Sequence, residues 1–240
     1  MIRQILILGF VLSVTAGFAQ GKITRPTKVQ PNSSQPNPTN RSNEQQNLAS
    51  RTESKQIEGY IDGHECVDLG LPSGVKWATC NVGASTPSDY GYYYAWGEIA
   101  SKATYTDSNS KTRGKIIYDI SGDAQYDVAY INWGNRWRLP RMADMEELKS
   151  KCVWSWTTQG GCKGYHVTGP NGRSIFLPAA GWRFDTLLRG AGNFGAYWSS
   201  TPHVSQTERA HYLYFNNSSY DVNWDNSRRN GLPVRPVSDY

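Results

Sequence analysis

The run His211-Tyr212-Leu213-Tyr214-Phe215-Asn216-Asn217-Ser218-Ser219-Tyr220-Asp221-Val222-Asn223-Trp224-Asp225-Asn226-Ser227-Arg228-Arg229-Asn230 constrains the fold more than any other part of the sequence. Side chains alternate across a strand, so Leu213 and Phe215 share one face and Tyr212 and Tyr214 the other. If the first pair enters a core, the tyrosines, asparagines and arginines point outward. The Asn-Asn-Ser-Ser stretch between two strand-length runs is turn chemistry. This predicts an antiparallel hairpin with one apolar face and one face of Tyr, Asn, Ser, Trp and Arg.

The same texture continues toward the N-terminus. Short runs bounded by Gly and Pro are expected as strands: Cys66–Leu69, Val75–Cys80, Tyr92–Trp96, Val153–Thr157, Gly164–Thr168, Ser174–Leu177, Ala196–Ser199 and Ala210–Asn216. Asn171-Gly172 lies between two of them and signals a hairpin. Helical spacing is scarce. Met142, Met145, Leu148 and Cys152 recur with it after Pro140, and Asp144, Glu146 and Glu147 in the first turns suit the positive end of the helix dipole. A shorter helix is expected over Ala124–Trp133. The fold class is therefore α+β, with short, mostly antiparallel strands, one or two helices and long loops.

The N-terminal part has a different composition. Residues 1–19 read as a signal peptide: Arg3, an apolar stretch from Ile5 to Ala16, then Gly17 and Ala19 at −3 and −1 of a cut before Gln20. Gln20 leaves no cysteine there for a lipid anchor. The apolar run is too short for a stable bilayer span, and no later segment approaches that length. Residues 20–57 lack Trp, Tyr, Phe and Cys and are rich in Asn, Gln, Ser, Thr and Pro, so they read as a disordered linker. Residues 58–240 hold every Trp and Tyr and form the expected domain. An exported protein, secreted or at the cell surface, follows from this layout.

Charge is uneven in the same way. Residues 20–57 carry six Lys/Arg against Glu44 and Glu53, whereas residues 58–240 balance 18 basic against 18 acidic side chains. The +5 formal charge thus belongs to the N-terminal part. A neutral domain lacks the electrostatic footprint of a nucleic-acid binder.

Chemistry-bearing patterns are few. There is no GxSxG elbow, HExxH or phosphate-binding glycine loop. His64, His166, His203 and His211 are scattered outside any nucleophile–base pattern and read as surface or structural histidines. Cys66, Cys80, Cys152 and Cys162 show no zinc-ligand spacing, and in an exported protein they suggest two disulfides of open connectivity. No catalytic residue, metal or cofactor is expected. The expected ligand surface is Tyr212, Tyr214, Tyr220, Asn223, Trp224, Asp225, Arg228 and Arg229, because Tyr and Trp give rigid contact area and Asn and Arg give oriented hydrogen bonds. The expected partner is a glycan or a surface protein.

A resemblance sharpens this picture. His64 to Gly74, then Trp77-Ala78-Thr79-Cys80-Asn81-Val82-Gly83-Ala84, are similar to the opening of the Fibrobacter succinogenes major paralogous domain, found in exported proteins of Bacteroidetes-type bacteria. Tyr90-Gly91, Ala95-Trp96-Gly97-Glu98, Trp137-Arg138-Leu139-Pro140, Phe176 to Gly181, Tyr197-Trp198-Ser199-Ser200 and Val234-Arg235-Pro236-Val237 continue it in order. The resemblance implies a C-type-lectin-like fold, and it places Trp77, Trp96, Trp137 and Trp198 in the core. The family has no firmly assigned activity. Formylglycine-generating enzymes share the wider fold and supply an enzyme alternative, but their late cysteine pair has no counterpart here. A structural surface or adhesin component is a further alternative. Calcium-dependent sugar binding lacks its motifs, since Trp224-Asp225-Asn226 reverses the usual Asn-Asp order.

Departures from the family carry expectations of their own. Arg141 stands where a helix-capping Thr is usual, and a lost cap costs about 1 kcal/mol. Cys66 and Cys162 both replace other residues, which suggests that they pair, leaving Cys80 with Cys152. In some relatives of the fold the last strands form a cassette diversified by a retroelement acting on adenines. The mix of Asn, Ser, Tyr, Asp, His and Arg near 203–233 resembles such a cassette.

Overall fold

The computed structural model describes residues 59–240. The expected signal segment and linker lie outside the described residues. Strands β1 (Tyr60–Ile61), β2 (His64–Asp68) and β3 (Lys76–Ala78) form an antiparallel sheet that β12 (Val237–Ser238) completes, in the order β1-β2-β3-β12. The two ends of the described chain therefore close on one another. Two short helices follow, α1 (Val128–Trp133) and α2 (Met142–Lys151). A second sheet is the meander β4 (Val153–Gln159), β5 (Cys162–Thr168) and β6 (Ser174–Pro178). After the small hairpin of β7 (Trp182–Phe184) and β8 (Leu187–Arg189) comes the third sheet. It is made of β9 (Phe194–Pro202), β10 (Arg209–Asn216) and β11 (Tyr220–Ser227), with β10 in the middle. All ladders between these strands are antiparallel, and the class is α+β.

Both helices begin where specific side chains answer their free N–H groups. Asp127 caps α1, accepting from Ala129 N (2.8 Å) and Tyr130 N (3.2 Å). Its second oxygen accepts from Gly122 N (2.7 Å) and Leu139 N (2.8 Å), so one buried carboxylate joins a loop, a helix and the Trp137–Pro140 segment. Burial pushes this carboxyl up to about 6, against those four N–H groups. The cap explains why α1 starts four residues later than Ala124. At α2, Arg141 makes no side-chain cap bond. Asp144 accepts from Arg141 N (2.7 Å), and Thr201 Oγ1 from β9 accepts from Met142 N (3.2 Å). The capping oxygen that position 141 lacks is replaced from another strand.

The β9–β10–β11 sheet lies between two cores. Ala196, Trp198, Ala210 and Tyr212 face a cluster holding Trp96, Trp137, Tyr94 and Val234. Tyr197, Leu213, Phe215 and Val222 face another holding Trp77, Met145, Leu148 and Tyr165. Trp77, Trp96, Trp137 and Trp198 are all buried. Close packing fixes composition as well: a Cβ at Gly195 would sit 2.0 Å from the Phe215 ring, so only glycine fits opposite that phenylalanine.

One buried arginine binds the sheets together. Arg235 donates to Asn81 Oδ1 (2.8 Å) and to the carbonyls of Ala78 (3.1 Å), Thr79 (2.7 Å) and Phe176 (3.0 Å). Burial holds its guanidinium below the usual range. Every donation goes to an uncharged acceptor, so the charge is satisfied by dipoles alone.

The expected strands over residues 153–157, 164–168, 174–177, 196–199 and 210–216 all form, most of them longer than expected. Tyr92–Trp96 is different: only Tyr94 makes a bridge, to Leu232, and the rest is loop held by backbone bonds from Tyr92 N to Val82 O and from Trp96 N to Arg228 O (both 2.9 Å). The Asn171-Gly172 hairpin forms with a five-residue connection between the paired Thr168 and Ser174.

Candidate functional site

Strand β11 carries the site, and a bulge aims it. Tyr212 opposes Trp224, whereas Tyr214 opposes Asp221, so the ladder steps two residues on β10 and three on β11. A bulge of this kind re-aims the side chains around it. Val222 turns into the Leu213 and Phe215 core, fully buried, while Trp224 emerges on the opposite face, beside Tyr212 and Tyr214. Without the extra residue, positions 222 and 224 would share a face.

Trp224 is 51 % exposed and ends a line of rings. Its centroid is 5.4 Å from Tyr214, Tyr214 is 5.7 Å from Phe194, and Phe194 is 5.0 Å from Trp182. Tyr214, Phe194 and Trp182 are half-buried, so each rests on the core and offers an edge or face to solvent. Phe184, two residues along β7 from Trp182, shares its face. The guanidinium of Arg229 lies 4.8 Å from its ring and that of Arg189 5.1 Å. Beyond it Leu187 and Leu188 are exposed at the tip of the β7–β8 hairpin. The result is a shallow aromatic track across β11, β10, β9 and β7, edged by arginines.

The residues expected at the ligand surface divide into three groups. Trp224 and Tyr214 stand on the track, and Asn223 is exposed and donates to Asp221. Asp225 and Arg229 flank it in ion pairs, Asp225 with Arg209 and Arg229 with Asp107 (2.6 Å). Of the remaining three, Tyr212 and Arg228 are corrected by the structure, and Tyr220 is half-buried. Tyr212 is buried, because the face expected to meet solvent is covered by the Trp96–Trp137 core; burial pushes its phenol well above the usual range. Arg228 is buried too. It donates to the carbonyls of Arg209 (3.1 Å), Thr112 (3.3 Å) and Lys115 (2.9 Å), and it lies 4.2 Å over the Trp96 ring. Burial pushes its pKa down to about 10, with Glu208 opposing. Tyr220 faces the other core, stacked on Trp154 at 4.6 Å.

Sequence reasoning missed Trp182, Phe184 and Phe194. The Trp182-Arg183-Phe184 alternation is a strand signal, but it lies far along the chain from the hairpin that drew attention. The Gly181–Gly195 bridge, the pairing of Arg183 with Gly231 and the contact of Trp182 with Tyr212 bring the two together.

No disulfide is seen among Cys66, Cys80, Cys152 and Cys162. Cys66 packs in the core and donates to Gly59 O (3.4 Å), and burial pushes its thiol up. Cys152 packs against the other core at the end of α2, and burial pushes it up to about 11. Neither has the character of an activated nucleophile. His64 lines a recess of about 230 Å³ with Glu65 and Cys80, but its ring is stacked 3.8 Å from Trp133, and burial holds its pKa down. Among the described residues no three of His, Cys, Asp and Glu converge to hold a metal. Among the same residues no helix is long and apolar enough to cross a membrane. Comparison with family models, curated proteins and solved structures finds no match.

Proposed function

We propose that this is an exported recognition module of the Fibrobacter succinogenes major paralogous type, with a C-type-lectin-like fold, binding a glycan or a surface protein along the aromatic track. The observation that carries this reading is the unbroken line of rings from exposed Trp224 through Tyr214 and Phe194 to Trp182. Flat aromatic faces stack on sugar rings and fill pockets on protein partners, and the flanking arginines orient polar groups. Short antiparallel strands, two helices and long loops support the fold assignment, as do the family motifs at Trp137–Pro140 and Val234–Val237. The sequence pattern of residues 1–19 supports export, and residues 20–57 read as a stalk. Exchange of exposed residues near 203–233, as in a diversified cassette, would change the track's rim while Arg228 and Tyr212 held the scaffold.

The test is a screen against glycans and bacterial surface proteins, run with wild type, Trp224→Ala and Tyr214→Ala. Loss of affinity by about tenfold or more in Trp224→Ala is expected of a central aromatic contact. Equal binding by all three proteins would remove the track as the site. Self-assembly of the purified protein with no ligand bound would favour a structural surface component instead.

A further inference from the structure

The opposite face of β7 borders a second, separate recess. Successive strand residues point to opposite sides, so Arg183 turns away from Trp182 and Phe184 and from the aromatic track. Its guanidinium stacks 5.2 Å from the Tyr93 ring. Together with Tyr92, Tyr105, Lys102 and Gly91 it lines a recess of about 260 Å³. That volume is just below the roughly 300 Å³ at which drug-sized pockets begin, enough for one ring with a substituent.

The polar heads of Lys102, Tyr93 and Tyr105 in this recess are engaged within the protein. Lys102 Nζ spends its donors on Glu98 (3.0 Å), Asn109 O (3.1 Å) and Asn109 Oδ1 (3.2 Å). Tyr93 donates to Ala180 O (2.7 Å), while Tyr105 donates to Tyr93 O (2.6 Å) and accepts from Lys102 N (3.2 Å). Arg183 alone, among the described residues lining the recess, has a charged head with no acceptor from the protein. Its backbone is fixed on both sides, by Gly231 O (2.7 Å) and Gly231 N (2.9 Å), and the Tyr93 ring places its head at the recess. A planar guanidinium matches a carboxylate with two parallel hydrogen bonds, and the tyrosine rings offer flat walls.

We propose that this recess binds a ring-bearing carboxylate, with Arg183 pairing the carboxylate and Tyr92 and Tyr93 contacting the ring. The shared chemistry is one ring and one carboxylate, from either an acidic sugar or an aromatic acid.

Calorimetric titration of the full-length protein with glucuronate, glucose, benzoate and benzyl alcohol separates these sources. At least one acid is expected to saturate a single site, with its neutral counterpart weaker by about tenfold or more. Glucuronate alone would assign an acidic sugar, benzoate alone an aromatic acid, and both a general carboxylate site. Arg183→Met should abolish the preference, Arg183→Lys should keep part of it, and raised salt should weaken it. Trp224→Ala should leave acid binding unchanged, which separates this recess from the track. Where Arg183→Met fails to fold, Arg183→Lys and the salt series decide. Equal binding of acids and neutral analogues, no binding at millimolar concentration, an unaltered Arg183 variant, or loss in Trp224→Ala would each overturn the proposal.

Discussion

Two stretches at the C-terminal end have similar composition and opposite fates. From Tyr214 to Asp225, aromatic and polar residues reach the surface, with Trp224 half exposed and Asn223 open. From Arg228 to Arg235, the equally polar Arg228, Asn230 and Arg235 are buried. Arg228 and Arg235 each find three backbone carbonyls. Side-chain type does not separate the two stretches; what lies over them does. Arginine resembles a binding residue wherever it stands in a sequence, yet here it serves as a clamp wherever loops close above it.

The sharpest way to break that contrast is Arg235→Met. The stem volume is kept, while the carbonyls of Ala78, Thr79 and Phe176 and the Asn81 amide oxygen lose their donor. The expected cost is roughly 3–5 kcal/mol, read by urea unfolding followed through tryptophan fluorescence. A loss below about 1 kcal/mol would show that the buried guanidinium is not a clamp. Arg228→Met follows, with roughly 2–3 kcal/mol from three carbonyls and the cation–π contact with Trp96. The folded fraction should still bind ligand with wild-type affinity. A selective loss of binding at full stability would return Arg228 to the ligand surface.

Part of this arrangement was legible in the sequence. Helix α2 follows from Met142, Met145 and Leu148 at helical spacing, because that pattern has one solution against a core. Leu213 and Phe215 were readable as core for the same reason. Tyr212 was not, because alternation separates two faces without saying how many are covered, and here both are. The bulge at Val222–Asn223 was equally hidden, since a ladder step depends on the partner strand. Phe194 and Trp182 joined the site only through tertiary contacts. The packing of Cys66 and Cys152 against separate cores likewise follows only from the fold.

Trp224→Ala probes the other half of the contrast. Half of this side chain is already in water, so stability should change by less than about 1 kcal/mol. Ligand affinity should fall by about 2 kcal/mol, the scale of a central aromatic contact. The two arginine variants and this one should therefore cross over, the former in unfolding curves and the latter in binding isotherms. A Trp224→Ala protein as unstable as Arg228→Met would mean that the track belongs to the core.

The smallest expected effect concerns His211, which pairs with Asp225 next to Trp224. Burial, and then neighbouring His203, hold its imidazole below the usual value, opposed by a backbone contact from Trp224 and by Asp225. The unfolded chain takes up this proton near pH 6.5, about where a free imidazole does, and the folded chain only at lower pH. The contribution to stability is thus complete above about pH 6.5 and is lost as pH falls toward the folded value. His64 is shifted in the same direction, by burial, with Asp62 opposing. Unfolding of wild type, His211→Gln and His64→Gln across pH 7 to 5 should give a shallower slope in each variant. Because His211 stacks on His203 at 5.4 Å, on the loop side of the ladder, its protonation should loosen that loop and leave the aromatic track unmoved. Ligand affinity should therefore follow the same pH course in wild type and His211→Gln. A steeper fall in wild type would mean that the His203 loop and the track move as one unit.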